Sequence, residues 1–187
     1  MANRDAPRGF VPAGHRNGGV IRSNTYHIAY DYATPIYCGD AVILSSGKIT
    51  AAAANSATIT GIFDGCSYRD ATGAMQFSRY WPGVALTDTA ANVVAHVYDD
   101  KGIMFEVQCE TGVAYVDATH VGTMCDLIAT HAGSALTGQS GQEVTPGTTG
   151  DLQFVILQLI DRPDNAAGTN AKVLVAINDS TTDIAVS

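Results

Sequence analysis

From residue 26 onward the chain is written in short runs rich in Val, Ile, Thr, Tyr and Phe, broken every few residues by Gly, Asp, Asn or Pro. Such runs are too brief for helices and carry the residue types that suit a pleated, half-buried surface. Strands are predicted at 26–30, 41–44, 48–51, 58–67, 74–77, 93–98, 103–109, 123–129, 152–160 and 172–178. Only two alanine-rich stretches, 51–54 and 89–95, offer a helical turn, and each is too short to be stable alone. The pattern predicts an all-β chain, an antiparallel barrel or sandwich with little helix.

Alternation is clearest at 103–109, where Ile103, Phe105, Val107 and Cys109 interleave with Met104, Glu106 and Gln108. This period of two buries one face and turns Glu106 outward. The preceding run alternates too, and the link between the runs is Asp99-Asp100-Lys101-Gly102. Asp early in a turn accepts backbone N–H bonds and Gly supplies positive φ at its end, so a hairpin corner is expected. The alternative is a cation site built from Asp99, Asp100 and Glu106, although the regular D-x-D-x-D-G spacing of a calcium loop is absent.

Residues 1–25 read differently. Pro7, Pro12, Gly9, Gly14, Gly18 and Gly19 prevent any helix of useful length and predict an extended arm ahead of a single 26–187 domain. Within the 187 residues the formal net charge is −8, unevenly spread. The first 22 residues carry Arg4, Arg8, Arg16 and Arg22 against Asp5, so the acidic excess lies entirely in the rest of the chain. An acidic body would be repelled by phosphates, which argues against a nucleic-acid partner; an acidic protein surface suits the arm better. Phe10, Val11, Val20 and Ile21 give the arm apolar residues that a purely solvated tail would not need and that could dock on a partner.

Chemistry-bearing motifs are missing. GQSGQ at 138–142 has the wrong spacing for a nucleophile elbow, and SSGK at 45–48 is followed by Ile49 where a phosphate loop needs Ser or Thr. His15, His27, His96, His120 and His131 are scattered, and Cys38, Cys66, Cys109 and Cys125 form no C-x-x-C pair, so they read as buried free thiols. Neither catalytic residue, metal nor cofactor is expected. The opening MANRDAPRGFVPAGHR has no apolar core of a signal peptide, and no apolar run reaches the roughly 18 residues of a membrane helix. Cytoplasmic synthesis and no membrane partner are expected.

Two segments remain open. Arg79, Tyr80 and Trp81, followed by Pro82-Gly83, combine the residue types of interface hot spots, and equally those of a core. The turn after them favours the surface. Residues 131–150, rich in Gly, Ser, Thr and Gln, show no clear strand and read as a contact loop or a flexible bridge.

Taken in order, MANRDAPRGFVPAGHR, YCGDAV, GIFDG, RYWPG, VYDDKGIMFEVQ and RPDNAAGTNAKVLVAIND resemble the head decoration proteins of tailed bacteriophages, also called capsid cement proteins. The resemblance implies a non-catalytic virion protein on the capsid exterior, clamping neighbouring major capsid subunits and associating with itself as a dimer or trimer. In that reading the arm makes the contact through Arg4, Arg8, Phe10, Val11, Arg16 and Arg22, and Arg79, Tyr80 and Trp81 join the expected interface on their residue types. Another virion part, a head fibre, tail tube or connector, is the alternative, and a hydrolase or metal-binding enzyme a further one.

Overall fold

Fourteen strands and one four-residue helical turn make up the regular structure of the computed structural model, which describes residues 3–54, 56–84, 93–147 and 153–178. The chain is all-β, and every pairing between named strands is antiparallel. One sheet runs, in spatial order, β1 (Val11–His15), β10 (Ile103–Gln108), β14 (Lys172–Ile177), β13 (Phe154–Leu159), β11 (Met124–Ile128) and β12 (Glu143–Pro146). The second runs β2 (Asn24–Ile28), β9 (Val93–Tyr98), β6 (Gly61–Arg69), β4 (Ala41–Ser45) and β5 (Lys48–Ala51), with β7 (Met75–Ser78) paired to the far end of β6. A two-stranded ribbon, β3 (Ile36–Tyr37) and β8 (Tyr80–Trp81), and the turn α1 (Asp117–His120) complete the set.

The arrangement is sandwich-like rather than a closed barrel. Both sheets curl strongly: a bridge between Cys109 and Val144 brings β12 back to the end of β10, and β2 comes into contact with β5. Curling lets each sheet enclose its own apolar cluster, as twisted strands with one hydrophobic face must. Ile103, Phe105 and Val107 of β10 pack with Phe154, Ile156, Val173 and Val175 in the first cluster. Val42, Phe63, Val93, Ala95 and Val97 form the second around Trp81. Ala41, Ile59 and Ile62 reach across into the first cluster and weld the two together.

Three expectations change. Asp99-Asp100-Lys101-Gly102 does make a tight turn, with the Ile103 N–H donating to the Asp100 carbonyl at 3.0 Å. It joins strands of different sheets, however, so it is an inter-sheet corner and not a hairpin. Residues 51–54 are no helical turn: Ala51 ends β5 and the next three form a loop, while 93–95 lie in β9 and 89–92 fall outside the described residues. The 131–150 segment is ordered over its described part, 131–147, where β12 pairs with β11 and Ser140, Gln142, Glu143 and Val144 are buried.

Candidate contact surface

The N-terminal segment is folded back on its own chain. Val11–His15 adds to β10 as an edge strand, with Val11 opposite Glu106 and a bulge between Pro12 and Gly14. Ahead of it, Gly9 sits at φ +67°, where a Cβ would come within 2.6 Å of the Gly39 carbonyl oxygen and 2.4 Å of the Ser140 Cβ. Only glycine permits that conformation and approach together. The Phe10 N–H then donates to the Gly39 carbonyl at 2.9 Å, and the Phe10 ring drops into the core, 1% exposed, stacked on Phe154 at 4.4 Å. Burial of such a ring stabilises by about 1.5–3 kcal/mol. Phe10 is thus a core residue of its own molecule, a correction to its expected docking on a neighbour, and Val11 is likewise half-buried in its own sheet.

Polar contacts fasten the strap upstream of Phe10. The Asn3 side-chain amide donates to the carbonyls of Ala166 and Thr169, each at 2.8 Å. Gln108 accepts the Ala6 N–H at 3.0 Å and donates to Asp5 at 2.9 Å and to Glu143 at 2.7 Å. Glu143 is buried, and its other carboxylate oxygen lies 2.6 Å from His131 Nδ1. Desolvation raises the Glu143 pKa above the ordinary carboxylate value, against the pull of Gln108 and His131. Gln108 lies on the outward face by strand parity and is nonetheless buried, because the strap covers it. Sequence reading misses this cluster: its members lie far apart in the chain, and no local pattern joins them.

Glu106, the outward residue between Phe105 and Val107, receives Arg8 at 3.0 Å and also Arg162. Arg8 is therefore partly spent on its own fold. Arg4, Arg16 and Arg22 are exposed. The other two carboxylates of the alternative cation site are also separately engaged: Asp99 accepts from Asn24 and, at 2.6 Å, from the Tyr26 hydroxyl, while Asp100 accepts the Gly102 N–H and faces His15. Asp99, Asp100 and Glu106 do not converge, and among the described residues no three His, Cys, Asp or Glu side chains are grouped to hold a metal ion.

The Arg79-Tyr80-Trp81 run divides. Trp81 is fully buried, its Nε1–H donating to the Tyr32 carbonyl at 2.8 Å and its ring meeting Tyr68 edge-on. That corrects its assignment to the surface: Pro82 and Gly83 turn the chain after the indole has entered the core. Tyr80 is half-buried and stacks on Tyr37, with ring centres 5.6 Å apart. Arg79 alone is exposed, its guanidinium 3.5 Å from the Cys38 sulfur.

A groove of about 640 Å³ opens where the 32–40 segment, the end of β5 and the 129–133 segment meet. Four of its polar side chains have structural partners. The Tyr32 hydroxyl accepts the Ala51 N–H, Asp40 accepts the Tyr37 N–H, Gln142 accepts the Ala41 N–H, and His131 faces Glu143. Burial raises the Asp40 pKa. Burial also pushes the Cys66 and Cys109 thiols up to about 12 and Cys125 well above its ordinary value, which leaves these three thiols unreactive. Comparison with protein-family models, with curated proteins and with solved structures finds no match to this chain.

Proposed function

We propose that this protein is a phage head decoration protein, a non-catalytic fastener that binds the outside of the assembled capsid and clamps neighbouring major capsid subunits. The observation that carries the reading is the exposure of Arg4, Arg16 and Arg22 on a chain that is otherwise strongly acidic. Guanidinium groups on exposed stems suit the carboxylates of a neighbouring protein surface, and the resemblance to cement proteins points to capsid subunits as that neighbour. A sandwich with its polar groups engaged internally is suited to holding a shape under load, and it works on the virion exterior after synthesis in the host cytoplasm. No nucleic acid, membrane, metal or cofactor enters the proposal.

The geometry changes how the fastening works. With Phe10 in the molecule's own core, the strap cannot leave without opening that core, so the arginines are presented by an ordered edge and not by a loose tail. Deleting residues 1–22 would remove Phe10 and β1 together and damage the fold. The informative variant is Arg4, Arg16 and Arg22 all changed to Ala, mixed with phage heads that lack the protein and measured by co-sedimentation. Binding should fall at least about tenfold, and the intact protein's binding should weaken with salt, since exposed charges are screened over about 8 Å at physiological ionic strength. Full occupancy by the folded triple variant would overturn the proposal.

A further inference from the structure

Among the described residues, the β6–β7 hairpin has an open sheet edge along β7. Its three-residue connection is closed by the Asp70 N–H donating to the Ala74 carbonyl at 3.0 Å and the Gly73 N–H to the Asp70 carbonyl at 2.9 Å, with Gly73 at φ +85°. That makes 70:74 a hydrogen-bonded site, and antiparallel strands alternate. With Tyr68 opposite Gln76 and Cys66 opposite Ser78, the backbone groups of Gln76 and Ser78 face β6. Those of Met75 and Phe77 face the other way, where no strand pairs with β7 among the described residues. The Met75 and Phe77 side chains share one face and are 52% and 82% exposed.

Other edge strands carry the usual devices against stray pairing. β1 has Pro12 and a bulge, β12 ends in Pro146, and β5 begins with Lys48 and leans on β2. β7, Met-Gln-Phe-Ser, has no proline, charge or bulge.

We infer that β7 is a self-association edge, pairing antiparallel with β7 of a second copy of this chain about a two-fold axis through Gln76. Parity narrows the register, and mutual pairing of Met75 with Phe77 fixes it on Gln76. A two-fold axis perpendicular to a sheet keeps each face with itself, so facing residues must share a face, and the axis passes through a residue and not between two. Centred on Gln76, Met75 of each copy faces Phe77 of the other, and the outward N–H and C=O groups of both residues find mates. The same register makes two Met–Phe cross-strand contacts, a favourable sulfur–aromatic pairing. The same register sets Arg79, just past β7, opposite Gly73 in the partner's 70–74 turn. The strand is short, so the contact is a weak one that high local concentration makes effective, as when copies sit side by side on a surface.

Sedimentation velocity of the full chain over a broad concentration range tests this. A concentration-dependent dimer is expected. Phe77→Lys should weaken it at least about tenfold, and Leu136→Lys, at a side chain 95% exposed outside β7, should leave it unchanged. Mild oxidation adds a register test that needs no affinity. Gln76→Cys should cross-link to itself, because the position lies on the axis, while Phe77→Cys should not, because its own copy lies too far across the axis for a disulfide. A monomer at every concentration, equal weakening by Leu136→Lys, or cross-linking at 77 in place of 76 would overturn the inference.

Discussion

The β1 edge and the β7 edge both end a sheet, yet they are treated in opposite ways. At β1 the chain lays down a strap whose Phe10 is buried, whose Arg8 meets Glu106, and whose Asp5 and Ala6 bond Gln108. At β7 two large apolar side chains stand in solvent beside backbone groups that have no strand opposite them among the described residues. A phenylalanine beside each edge thus has an opposite part: Phe10 holds the molecule to itself, and Phe77 lies outside its own core. The contrast teaches that exposure of apolar surface here is local and placed, because the same chain covers such surface thoroughly elsewhere.

The contrast breaks most visibly by truncation. Phe10→Ala should cost about 3–5 kcal/mol, a cavity-forming loss against Phe154, whereas Phe77→Ala should change stability by less than about 0.5 kcal/mol. Urea unfolding of the two variants side by side measures both. Equal losses would mean that the strap is not part of the core.

A smaller effect sharpens the covered side. Glu143 lies under the strap with its pKa raised by desolvation. A carboxyl with a raised folded-state pKa binds its proton more tightly folded than unfolded. Its contribution is therefore fully present below the unfolded value of about 4.5 and is lost as pH rises through the folded value. The thermal midpoint of the wild type should fall across that window relative to Glu143→Gln, whose own profile should be flatter. Asp40, raised in the same direction by burial, leaves a residual slope in the variant. A parallel pair of profiles would show that Glu143 feels no such burial.

Much of the fold was legible because alternation is a local signal. The runs predicted at 48–51 and 93–98 coincide with β5 and β9, and 103–109 overlaps β10 to within a residue. The strands that escaped lack the pattern: β1 contains Pro12 and Gly14, β12 sits in a Gly- and Ser-rich stretch, and β3 and β8 are two residues each. Their strand character comes from partners far along the chain, which no window of sequence contains. The same limit explains the contact residues. Arginines on the leader could be read as charge, but whether Phe10 and Trp81 face inward depends on Phe154 and Tyr32. The Asp99–Gly102 corner was read correctly as a turn and wrongly as a hairpin, since turn chemistry does not say which sheet the next strand joins.

Copies of this chain are proposed to lie on a capsid, fastened through their arginine-bearing edge. A cryo-electron microscopy reconstruction of the native phage head tests that most directly. Density of this sandwich is expected on the outer surface at junctions between capsomers, with Arg4, Arg16 and Arg22 turned toward capsid carboxylates. Density confined to the tail or connector, or a head whose outer surface carries none of this protein, would contradict it.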